Sequence, residues 1–242
     1  MGRQIGCRSI LIVAILLPPV AWLQAPAQQA PPSVEAELLR HGIPLKQLSL
    51  QSALKDPRPE VRSLAAAELA SRKDGASAPA IIAALGKERV ALVAFNMASS
   101  LLELDPSVGS KYLARECNDT SRSDDLRLQA ASRLVDVQNN SCTSIVESIL
   151  QNTMDVSRKV SALLILARTQ PVTPSFVTRL HPTLVVNLRD PDPAVRGYAS
   201  RCIAAINDKS AAQDLENAIA NERDSKTREQ MKGALASMGS HP

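Results

Sequence analysis

The sequence predicts an all-α fold: a right-handed α-solenoid (an α-α superhelix) of about six stacked helical hairpins behind an N-terminal helical cap. Three observations carry this expectation. Apolar residues make up 45% of the chain but aromatics only 2%, so the hydrophobic share is mostly Ala, Leu, Ile and Val. Such residues suit close helix–helix contact better than pleated strands. The phrase Leu54-Lys55-Asp56-Pro57-Arg58-Pro59-Glu60-Val61-Arg62 returns almost unchanged as Leu188-Arg189-Asp190-Pro191-Asp192-Pro193-Ala194-Val195-Arg196. Weaker copies recur at regular spacing, the signature of a repeat array.

In chain order, the first element is a targeting segment. Arg3 and Arg8 form a basic start, Ile10 to Val20 is apolar, and Ala25-Pro26-Ala27 offers small residues to a signal peptidase. Residues 1–27 therefore read as a signal peptide, and the destination as the periplasm or the outside of the cell. The apolar run is short and Pro-broken for a membrane span, with cleavage expected after about Ala27 and an uncleaved anchor as the alternative. Residues 28–33 read as a Pro-rich linker and residues 34–240 as one repeat domain. Removing the signal takes away two arginines of a chain whose formal charge is only +4. What remains is too weakly basic for a nucleic-acid footprint.

The segment from Ser33 to Lys55, broken by Gly42 and Pro44, reads as the helical cap. Six units follow, whose Arg-equivalent positions are 62, 94 (here Ala), 127, 158, 196 and 228, at spacings of 32, 33, 31, 38 and 32. In each unit, Asp-Pro-x-Pro or its remnant marks a helix start, where Asp accepts from free N–H groups and Pro tolerates the first turn. Val, Ala, Ala and Leu at offsets 0, 4, 5 and 8 then fall on one helical face. Second helices are expected near residues 79–85, 108–117, 144–150, 176–188 and 211–220. Neither helix of a pair can bury its face alone, so the pairs must stack.

The strings at 56–62 and 190–196, with their Ala-Ala and Ala-Ser pairs, resemble the HEAT repeat family. The resemblance is to its short bacterial form, also seen in phycobilisome lyase-like proteins, and covers roughly residues 50–240. It implies that Arg62, Arg127, Arg158, Arg196 and Arg228 meet the turn aspartates, with Asp56 and Asp190 as partners in the same or the adjacent repeat. It also implies that the second helices line a concave binding face. Lys111, Arg115, Glu147, Gln151 and Arg179 are the polar candidates there for contact with a protein or peptide partner.

Chemistry-bearing motifs are scarce. His41, His181 and His241 form no His-Glu pair and have no second His at i+3 or i+4, so no metal ligand set is expected. Deoxyhypusine hydroxylases resemble this fold but use His-Glu iron ligands, which are absent here. No P-loop, Gly-x-Ser-x-Gly or dinucleotide fingerprint occurs, so neither catalysis nor a cofactor is expected. Asn118-Asp119-Thr120 and Asn139-Asn140-Ser141 match glycosylation sequons, a pattern frequent by chance. Cys117 ends one second helix and Cys142 opens the next. If equivalent helices run parallel, a helix length separates the two residues, about 15–20 Å at 1.5 Å per residue. That excludes a disulfide between them. Cys202 reads as a small core residue.

The expectation is therefore an exported scaffold for protein–protein interaction with no catalysis of its own. The rivals are an accessory subunit of an envelope enzyme complex and, further off, a nucleic-acid-binding helical repeat.

Overall fold

The computed structural model describes residues 32–239, so the signal-peptide segment and most of the linker lie outside the described residues. Among the described residues there are thirteen α-helices and no strand. The expected cap is α1 (Val34–Arg40) and α2 (Gln47–Ala53). The odd-numbered series continues with α3 (Pro59–Ser71), α5 (Ala91–Leu104), α7 (Asp124–Asp136), α9 (Val156–Ala167), α11 (Pro193–Ala205) and α13 (Ser225–Gly239). The even-numbered series is α4 (Ala78–Leu85), α6 (Pro106–Asn118), α8 (Thr143–Asn152), α10 (Pro174–Asn187) and α12 (Ala212–Asn221).

Local chemistry sets these boundaries. Ser33, Asp105, Ser123, Asp155, Thr173 and Asp192 each accept a backbone N–H from the first turn that follows. Such caps satisfy donors the helix itself cannot pair. Asp56 stands one turn too early for this. It accepts Arg58 N–H at 2.9 Å in the preceding turn, and α3 starts on Pro59. Four odd helices end in the same way. Gly42, Lys73, Gln138 and Asn207 take positive φ (77°, 53°, 59° and 52°). After each, the next N–H reaches back to a carbonyl five residues earlier, as in Asp74 to Leu69 and Asp208 to Ile203. This is the Schellman closure, and three of its four left-handed positions lack a glycine.

Packing shows the repeat. Each odd helix from α1 to α13 packs on the next odd helix, while the even helices mainly cover the odd helix that follows them. One position is fully buried in every unit: Ala65, Met97, Ala130, Ala162, Ala199 and Met231. Small or unbranched side chains there let neighbouring helices approach closely. The same alignment corrects the fourth unit. It runs from Lys159, not Arg158, since Ala162 is buried whereas Ser161 is exposed.

One step departs from the pattern. α5 and α7 touch only sparsely, and α6 packs closely against both. A Cβ at Gly109 of α6 would lie 2.6 Å from Leu102 N, so α6 meets the α5 backbone directly. Beside this step, Cys117 and Cys142 form a disulfide with Cα atoms 6.3 Å apart, which corrects the expectation that no bridge joins them. The helix ends fall where the sequence places them, but the end of α6 meets the start of α8. These two helices are therefore not aligned side by side in parallel. Cys142, as the residue before α8, adds no helical rise to the separation.

Candidate functional site

The strongest electrostatic feature is a clamp that recurs at the turns. Arg62 donates to both carboxylate oxygens of Glu88 at 2.7 and 2.9 Å, and to the Asp56 and Pro57 carbonyls at 2.8 and 3.1 Å. Arg196 repeats this with Glu222 (2.6 Å twice) and the carbonyls of Asp190 and Pro191 (2.8 and 2.9 Å). The expected Asp–Arg contact within one repeat is thus made through the aspartate's carbonyl. The carboxylate partner sits in the next repeat, where Glu88 and Glu222 occupy the positions equivalent to Asp56 and Asp190.

The free carboxylates of those aspartates serve elsewhere. Asp56 pairs with Arg58 at 2.8 Å and Asp190 with Lys159 at 2.5 Å. Arg158, displaced from the clamp, reaches Asp125 at 2.8 Å, Arg127 binds Asp124 and the Cys117 carbonyl, and Arg228 binds the Glu222 carbonyl. Hydrogen bonds from Arg62 and Arg196 hold the Glu88 and Glu222 carboxyls below their usual range. The bond from Arg58 brings Asp56 down to about 2. Every one of these groups is satisfied inside the chain, so the arginine series fixes register and leaves little charge to offer a ligand.

The even-helix candidates divide in two. Glu147 of α8 pairs with Arg179 of α10 at 3.1 Å, and Gln151 donates to Thr183 at 2.7 Å. These three residues tie α8 to α10. Lys111 and Arg115 are exposed on α6, with Arg115 lying 5.1 Å over the Tyr112 ring.

One groove of about 670 Å³ lies along α12 and the turn before α11, around the Arg196–Glu222 clamp, and the others open between the odd helices. At the N-terminal end α1, α3 and α5 enclose about 600 Å³ over Leu64, Val90, Leu92 and Val93. It shares Ser63, Leu64 and Asn96 with a second groove of about 410 Å³ that extends to Glu103 and Arg133. Others lie between α7 and α9 and between α11 and α13. Their walls come from equivalent positions of successive units: Leu64, Asn96, Gln129, Ser161 and Gln230, then Ala67, Ser99, Ser132, Leu164 and Arg201. Small and hydrogen-bonding side chains dominate this stripe. Charge enters through a chain across α5, α7 and α9, in which Arg133 stands 3.8 Å from Glu103 and Arg168 stands 2.6 Å from Asp136. Sequence reasoning placed the site on the other series. The signal that could have found this one is the polar residue two places after the Arg-equivalent in every unit but the first, where Leu64 stands, once the fourth unit is aligned on Lys159.

The fold also gathers one group the sequence left scattered. His181 Nδ1 lies 2.7 Å from Asp208 Oδ2 and 3.1 Å from Ser210 Oγ, and Ser210 also donates to Asp208. Both oxygens converge on the same ring nitrogen. The imidazole cannot relay a proton between them through its far nitrogen, as a nucleophilic triad requires. Asp208 here caps the short turn before α12. Among the described residues no group of three or more His, Cys, Asp or Glu side chains converges on a common point as metal ligands would.

No family model matches the chain, and no curated protein matches it. Solved structures do. An engineered protein matches with a TM-score of 0.54 at 18% identity, over 86% of this chain and 61% of its own. The likeness is one of fold. This chain thus spans about three fifths of that protein's length. Human deoxyhypusine hydroxylase, solved with glycerol, matches with a TM-score of 0.42 at 18% identity, over 81% of this chain and 74% of its own. That protein is an enzyme, and against that finding the expectation of no catalysis in this chain does not stand. The correction stops there, because no residue role passes to this chain at such similarity.

Proposed function

We propose that this chain is an exported scaffold of the HEAT repeat type, a right-handed solenoid of about six hairpins, which binds a protein or peptide partner along its odd-helix face. The observation that carries the proposal is the set of grooves between successive odd helices, lined at equivalent positions by small and hydrogen-bonding residues. Extended, repeat-spaced surfaces of this kind are what solenoids use for binding. The exposed Leu92 and the half-exposed Leu164 add apolar contact to it. Export is supported by the Cys117–Cys142 bridge, since disulfides persist in oxidising compartments. No helix among the described residues is long and apolar enough to cross a membrane.

The test is site-specific photocrosslinking in the native envelope, with the probe placed in turn at Leu92, Leu164 and Lys111. One stoichiometric partner caught from Leu92 and Leu164 supports the odd-helix face. Capture from Lys111 alone moves the surface to α6, and no capture from any position rejects the scaffold reading.

A further inference from the structure

The sparse α5–α7 step and the bridge beside it belong together. Everywhere else in the odd series, neighbouring helices pack more closely than α5 and α7 do. Here α6 stands between them and carries the contact. One end of α6 is seated on α5 through Gly109, and the other is fastened at Cys117 to the residue that opens α8. Besides α6, a polar link across the step is the Arg133–Glu103 pair at 3.8 Å, longer than a good ion-paired hydrogen bond. Arg133 and Glu103 also line the groove between α3 and α5.

We propose that α6 is a wedge locked by the Cys117–Cys142 disulfide, and that reducing the bridge releases its C-terminal end and changes the groove that Glu103 and Arg133 border. The chemistry is thiol–disulfide exchange. A dithiol reductant supplies two electrons, the S–S bond breaks, both cysteines gain a proton, and the reductant leaves as its own cyclic disulfide. The third cysteine does not interfere. Cys202 is fully buried in α11, where burial pushes its thiol up to about 12, so it stays protonated and unreactive. The link to the groove rests on the function proposed above. The mechanical claim about α6 does not.

Hydrogen exchange by mass spectrometry, on the chain with its bridge intact and after dithiothreitol, reads the wedge without any partner. The expected result is at least tenfold faster exchange in residues 106–118 and in the facing parts of α5 and α7, with α11 and α13 unchanged. Unchanged exchange in α6 overturns the proposal. So does acceleration through all helices, which would make the bridge a staple for the whole fold. Gly109→Ala, measured with the bridge intact, loosens the other end and should also accelerate α6; protection equal to the parent's would overturn the seating of the wedge on α5. If α6 responds to reduction but crosslinking from a probe at Glu103 does not, the wedge stands and the groove reading fails.

Discussion

Replacing Arg196 by Ala tests the reasoning about the turn clamp most directly. The guanidinium makes four hydrogen bonds, two to the Glu222 carboxylate and two to carbonyls of the turn before α11. Side-chain exposure is 19% for Arg196 and 1% for Glu222. Removing the arginine strands a buried carboxylate with only backbone donors, the N–H groups of Asp224 (2.9 Å) and Arg223. Breaking a buried ion pair from one side costs about 3–5 kcal/mol, and the remaining donors place this case near 3. For a chain of this size that is about 6–12 °C in melting temperature. Because repeats couple only to neighbours, the loss should concentrate in α11 to α13. Thermal melts of Arg196→Ala, Glu222→Gln and the double variant form the assay. The double variant should cost much less than the two single losses added together. The pH dependence has a definite sign. Glu222 titrates below its usual range in the folded chain, so the clamp's contribution is complete above the ordinary carboxylate pKa. It fades as pH falls through the depressed value. A melt of Arg196→Ala within about 1 °C of the parent, or full additivity in the cycle, would refute the clamp.

Further outcomes follow from the same geometry. Arg158→Ala, whose pair with Asp125 is largely exposed, should change stability far less than Lys159→Ala, whose partner Asp190 is buried; equal effects in paired melts would reject the Lys159 register. Removing the bridge that spans 25 residues should cost about 3.5 kcal/mol by the chain-entropy relation, borne by the helices around α6 and α8 and seen as an early step in the urea unfolding of Cys117→Ala/Cys142→Ala that leaves α11 to α13 folded. Carboxyl NMR should find Asp56 titrating at about 2, and Arg58→Gln should move it up toward 3.8. The stability Asp56 contributes is then present above the ordinary range and lost as pH falls toward that lower value.

Period and amphipathicity are local properties, so the sequence shows them openly. Thirteen helices fall close to where Asp-Pro-x-Pro strings, caps and apolar offsets place them, and the break at Gly42 and Pro44 does separate α1 from α2. The left-handed closures at Lys73, Gln138 and Asn207 were hidden, because no glycine marks them. Glu88 and Glu222 were hidden as well. Their role depends on an arginine one repeat earlier, and a single string does not display which repeat faces which.

What the sequence determined by itself is the helical class, the repeat and its turn chemistry, since each follows from residues within one or two helical turns of each other. Only the tertiary structure decided the pairing of Cys117 with Cys142, the Lys159 register and the series that bears the grooves. All three depend on the relative placement of helices. The seating of α6 between α5 and α7, where Gly109 admits a backbone and the regular stack gives way, is a packing outcome that no periodic pattern encodes.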